Sequence, residues 1–167
     1  MTRVYVPATL TMLQRLVADG EIDAVSGTAF AVTAALREAY TAGDDDELAE
    51  VAMGEAARAS LRLLAAEDDD GALGPRRVVI AADVDGATPR PDLDDAVVRL
   101  DAAVPMSALA SVHVDLGAAE SDVARAVAVI DAADLGDEEA EFVLGDAEDH
   151  ELAWYAAQEL PFLLELL

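Results

Sequence analysis

Between Arg77 and Asp83 the chain reads RVVIAAD. Val78, Val79 and Ile80 follow one another without the apolar–polar alternation of a strand that faces water on one side. An uninterrupted β-branched run with Pro75 before it and Gly86 after it predicts a strand buried on both faces. Such a strand needs neighbouring strands at its edges and a layer of structure on each face. The rest of the chain must therefore supply more strands and helices to cover them.

The flanking patterns do so. RVYVP predicts a short strand over residues 3–7, with Val4 and Val6 on one face, Arg3 and Tyr5 on the other, and Pro7 ending it. A helix is expected from about Leu10 to Asp19, capped by Thr9 and stopped by Gly20. TAFAV predicts a strand over 28–32, and Thr33 caps a helix reaching Tyr40 and closed by Gly43. Asp44 and Glu47 stand at capping-box spacing before a helix that runs to about Ala66. After the acidic loop that begins Glu67–Gly71, further strands are expected over 96–100, 111–115, 142–144 and 152–156. A helical turn over 105–109 capped by Ser107, a helix over 118–132, an acidic turn over 145–151 and a short final helix over 159–167 complete the reading.

This pattern predicts an α+β fold in which a mixed sheet of about five to seven strands is covered by helices, in one domain over 1–167. VYVP–helix–TAFAV is echoed by VHVD–helix–EFVL, and two such units would build a ferredoxin-like α/β sandwich.

Composition removes whole classes of function. A 54% hydrophobic content excludes wholesale disorder. The absence of cysteine excludes disulfide frameworks, cysteine nucleophiles, zinc fingers and iron–sulfur ligation. All ten basic residues are arginine, so a Walker lysine is impossible. The missing Lys and Asn fit a G+C-rich coding sequence, but codon bias does not account for 35 acidic residues and a net charge of −25. That charge opposes direct nucleic-acid binding and anionic membrane surfaces, and is compatible with a partner that has a basic surface. No apolar run approaches the roughly 18 residues of a spanning helix, and the N-terminus lacks a signal-peptide core, so a cytoplasmic protein is expected. No cofactor is expected. The charge is uneven: residues 1–99 hold 19 acids and 9 Arg (net −10), whereas residues 100–167 hold 16 acids and Arg125 alone (net −15).

Three constellations are candidates for chemistry. Ser111, His113 and Asp115 lie at period 2 on one strand face, a possible nucleophile–base–orienter set. Same-face neighbours stand roughly 6–7 Å apart along a strand, which is too far for direct hydrogen bonds. If the first strand paired alongside, Arg3, Tyr5, Ser111 and His113 would line a pocket in which His113 acts as a general base beside Asp115. Second, Glu148, Asp149, His150 and Glu151 precede Trp154 and Tyr155, a concentration suited to anchoring a partner or to acid–base work by His150. Third, Asp44–Glu47 reads either as a divalent-cation site or as a helix start; the capping spacing favours the start. Asp83-Val84-Asp85-Gly86 resembles part of an EF-hand loop, but its first ligand position would fall on Ala81, so no metal site is assigned.

The blocks MTRVYVPATL, TAFAVTAALREAY, EAARASLRLL, RRVVIAADV, SVHVDL and EDHELAWYAAQELP resemble an uncharacterised family of small acidic proteins from high-G+C Gram-positive (actinobacterial) bacteria. The resemblance covers nearly the whole chain. It implies a stand-alone, cytoplasmic, single-domain protein and brings no catalytic residues with it. Three functional readings follow from the residues: a non-enzymatic interaction or regulatory module that binds a protein, a hydrolase- or isomerase-type enzyme using His113 or His150 with a neighbouring carboxylate, and a divalent-metal-binding protein.

Overall fold

The computed structural model describes residues 1–67 and 73–167. The chain runs β1 (Thr2–Ala8), α1 (Leu10–Asp19), β2 (Glu21–Ile22), β3 (Thr28–Phe30), α2 (Ala34–Ala39), α3 (Asp45–Ala66), β4 (Val78–Val84), β5 (Ala87–Pro89), β6 (Val97–Leu100), β7 (Val104–Pro105), β8 (Leu109–Val114), α4 (Glu120–Asp134), α5 (Glu138–Glu148), β9 (Ala153–Tyr155) and α6 (Leu160–Glu165). The fold is α+β. Seven strands form one sheet in the order β5-β6-β3-β1-β4-β8-β9, with β2 and β7 paired separately. Every pairing is antiparallel, where a mixed sheet was expected.

β4 is central, as its apolar run requires. Val78, Val79 and Ile80 are fully buried, but into different cores. Val78 and Ile80 meet α1 and α6 on one face, together with Val4, Val6, Leu13, Leu16 and Leu160. Val79 and Ala81 meet α2 and α3 on the other, with Tyr5, Phe30, Leu36, Leu48 and Ala52. A third core lies between α3, α4 and α5, around Leu61, Val123, Ile130 and Leu144. Each such side chain contributes about 1.5–3 kcal/mol when fully buried. Ser60 ties α3 to both central strands: its Oγ donates to the Ala8 carbonyl (2.7 Å) and accepts from the Val78 N–H (3.1 Å).

The starts of α1, α2 and α3 are those the sequence indicates. The Thr9, Thr33 and Asp44 side chains accept from the backbone N–H of Met12, Leu36 and Glu47. Gly20, at φ 79°, closes α1 in a conformation glycine adopts at little cost. The acidic run over Asp44–Glu47 is thus a helix start. The Asp68–Asp70 part of the second acidic run lies outside the described residues.

Other expectations are corrected. Residues 142–144 are not a strand, and the acidic turn expected over 145–151 is helical to Glu148. Asp137 caps this helix through the Ala140 N–H (2.9 Å), and Glu138, Glu139 and Glu141 sit at its electropositive end. Ala140, Leu144 and Ala147, at helical spacing, bury its inner face. Ser107 lies inside a 3₁₀ turn over Met106–Ala108 and does not cap it. β1 runs through Pro7 to Ala8. β3 reaches β1 only at Tyr5↔Phe30, so beyond Tyr5 the strand has a ladder on one side only and tolerates a proline. One split β-α-β unit is present, with β3 and β4 flanking β1. That unit is β3–α2–α3–β4, and neither expected one: β1 and β3, joined through α1, are direct antiparallel neighbours, and the EFVL that was to close the second unit lies in α5, so the strand order departs from the ferredoxin-like one.

Candidate functional site

Arg77 precedes β4 and Asp115 follows β8. The register Val78↔Val114 brings them side by side. Arg77 is 4% exposed. Its Nε and Nη2 donate to Asp115 Oδ2 (2.9 Å) and Oδ1 (2.8 Å), and its backbone N–H adds a third bond to Oδ2 (2.8 Å). Nη2 also donates to the His150 carbonyl (2.9 Å), which fastens the α5–β9 connection to the sheet. Arg76 pairs with Glu120 (3.2 Å). The one adjacent basic pair of the sequence is therefore spent inside the fold.

This pairing takes Asp115 away from His113. Ser111 and His113 do meet: Oγ and Nε2 lie 2.9 Å apart, because the imidazole reaches back along the strand. Backbone spacing along the strand does not include that side-chain reach. A register shift opposite Ala81/Ala82 lies beside Ser111. Burial holds the His113 imidazole below its ordinary pKa, which favours the neutral ring. Ser111 itself is only 7% exposed. The contact is thus a two-member hydrogen bond in a closed setting, with both Asp115 oxygens committed to Arg77.

The pocket envisaged between the first strand and Ser111–His113 does not form, since β4 lies between β1 and β8. Arg3 pairs instead with Asp83 (Nε–Oδ1 2.7 Å), and each holds the other in its charged form. Tyr5 is buried under α3, and that burial raises its phenol pKa.

His150 finds a partner that spacing could not indicate. Its Nε2 lies 2.7 Å from Asp122 Oδ2 on α4, and the same carboxylate accepts from Arg125. Trp154 and Tyr155 do not share a patch. Adjacent strand residues point to opposite faces. Trp154, opposite His113, stands 60% exposed, whereas Tyr155 packs half-buried against the α1–α6 core. Glu148, Asp149 and Glu151 are exposed.

None of the four cavities described is lined by His113, His150 or Trp154. The largest, about 590 Å³, lies between α1 and the end of α3, around Met12, Arg15, Ile22 and Leu63. Another, of about 400 Å³, opens between α3 and α5 over Arg77, with Glu55, Arg58, Glu141 and Glu148 on its walls. Burial raises the Glu55 carboxyl pKa, with Asp94 and Glu148 adding to the effect and Arg62 and Arg58 opposing it. Arg58 donates to Asp134 (3.0 Å) and Glu141 (2.7 Å), and Arg62 joins at Asp134 (2.7 Å). These arginine bonds hold both carboxyls below their ordinary range. The sequence marks Glu55, Arg58 and Arg62 only as a polar stripe. Among the described residues, no three His, Asp or Glu side chains gather in a metal-holding arrangement, and no helix is long and apolar enough to cross a membrane.

The chain belongs to a family of unknown function, DUF6912, whose family model matches residues 2–164. Comparison with curated proteins and with solved structures finds no match.

Proposed function

We propose that this member of a family without an assigned activity is a non-catalytic interaction module that binds a protein of basic surface through its acidic C-terminal part. One observation carries the reading: large apolar side chains stand exposed next to carboxylates in the more acidic part of the chain, residues 100–167. Phe142 is 78% exposed on α5, with Glu138, Glu139 and Asp146 on the same helical face. Trp154 is 60% exposed just after Glu148, Asp149 and Glu151. Aromatic anchors ringed by charge are the composition of binding hot spots, and the charge selects a cationic partner. What supports this over the hydrolase- or isomerase-type reading is that neither histidine borders a described cavity. The same reading makes residues 1–167 one cytoplasmic domain, without a nucleic-acid partner or cofactor, in a family of small acidic actinobacterial proteins.

The test immobilises the whole chain and passes native lysate over it at low and high salt. The expected result is a basic protein held at low salt and released at high salt, with retention abolished by Phe142→Ser combined with Glu138→Gln, Glu139→Gln and Asp146→Asn. Absence of any salt-sensitive partner overturns the reading.

A further inference from the structure

The two edges of the seven-stranded sheet are finished differently. β5 carries Pro89 within its three residues, and Pro91 follows closely. Proline offers no N–H to an incoming strand, and natural sheets use it to blunt their edges. β9 has no such guard: no proline or arginine occurs between Glu151 and Leu160, and among the described residues no strand lies beyond Ala153–Tyr155. An open edge is a template for one more strand, the mode by which extended peptides add to sheets. Trp154 stands on this edge, opposite His113 and largely in solvent, where its ring is available to a side chain from a neighbouring strand.

Charge decides which strand that is. Exposed Glu148, Asp149 and Glu151 lead into β9, exposed Glu159 follows it, and no arginine occurs after Arg125. A second copy of this chain would bring another −25 to the same edge, which disfavours self-pairing. We propose that the outer edge of β9 accepts an extended basic segment of another protein as an eighth strand, with an Arg or Lys side chain of that segment over the Trp154 ring. Backbone bonds to Ala153–Tyr155 provide the fixed geometry. The cation–π contact and the surrounding carboxylates provide the preference for positive charge. This inference rests on the basic-partner reading and specifies its mode of docking.

The test titrates the full chain at low salt with two peptides of equal length and charge. In one, arginine alternates with valine; in the other, arginine alternates with proline, which cannot complete a ladder. The fluorescence of the only tryptophan and the amide exchange of Ala153–Tyr155 are followed together. The valine peptide is expected to bind at least about tenfold more tightly than the proline peptide and to slow exchange at Ala153–Tyr155, and Trp154→Ala is expected to weaken it about tenfold. Equal binding of both peptides with unchanged exchange overturns strand addition and leaves the acidic module standing. Failure of both peptides to bind overturns the basic-partner reading as well. Exchange that slows with protein concentration alone assigns the edge to a second copy and overturns the proposal.

Discussion

Arg77 and Arg58 each grip carboxylate with two or more guanidinium nitrogens, but in opposite surroundings. Arg77 and Asp115 are sealed between β4, β8 and the α5–β9 connection, with side-chain exposures of 4% and 0%. Arg58 bridges α3 to the α4–α5 pair, reaching an Asp134 and a Glu141 that remain partly in solvent. Water can replace a lost partner far more readily in the second group than in the first. Similar bonds therefore carry different consequences. The sealed pair dictates where the end of β8 and His150 must sit, while the open group trims the packing of an already buried helix interface.

The largest expected effect comes from splitting the sealed pair. Asp115→Ala leaves Arg77 buried without its counter-charge and should cost about 3–5 kcal/mol, a fall in Tm of about 10 °C or more. The double change Arg77→Met with Asp115→Leu should recover much of that loss in a denaturant titration. Equal losses for the single and double variants would show that packing, not uncompensated charge, is at stake.

Arg58→Ala should cost on the order of 1 kcal/mol or less, and the loss should shrink at high salt. Its pH dependence has a definite sign. Arg62 and, after it, Arg58 hold Asp134 below its ordinary range, and Arg58 does so for Glu141, so the carboxylates' contribution is present above the unfolded-state values and disappears as pH falls through the folded ones. Stability of the wild type should therefore drop more steeply on acidification than that of Arg58→Ala, as measured by Tm against pH.

The smallest effect is opposite in direction. Burial raises the Glu55 pKa, so the native state holds this proton more firmly than the unfolded chain, and stability declines as pH rises through that window. Glu55→Gln should be slightly more stable than the wild type at neutral pH and lose the advantage in acid. A less stable variant at neutral pH would mean that Glu55 makes a favourable bond to the walls of its cleft.

Much of the fold was legible locally. RVVIAAD announced a strand buried on two faces. Thr9, Thr33 and Asp44 announced helix starts, because a cap is a bond over three residues. Phe142–Leu144 misled because three apolar residues in a row carry no period, and the evidence for a helix lay in Asp137 and in Ala140, Leu144 and Ala147 around them. β2, β5 and β7, at two or three residues each, were too short to show an alternation. Ser111 and His113 do meet, but two of the candidate residues find other neighbours than their spacing suggests: Asp115 pairs with Arg77 rather than His113, and Trp154 lies across from His113 rather than beside Tyr155.

What the sequence determined by itself was the set of local conformations, the charge and the excluded chemistries, since these depend on neighbours along the chain and on counts. The tertiary structure alone decided the partners. Strand order brought Arg77 to Asp115, the packing of α4 brought Asp122 to His150, and the position of β9 at the sheet margin left Trp154 in water. The reason is physical: a charged or aromatic side chain is neutral as to partner until burial removes water as an alternative, and burial is a property of the whole fold.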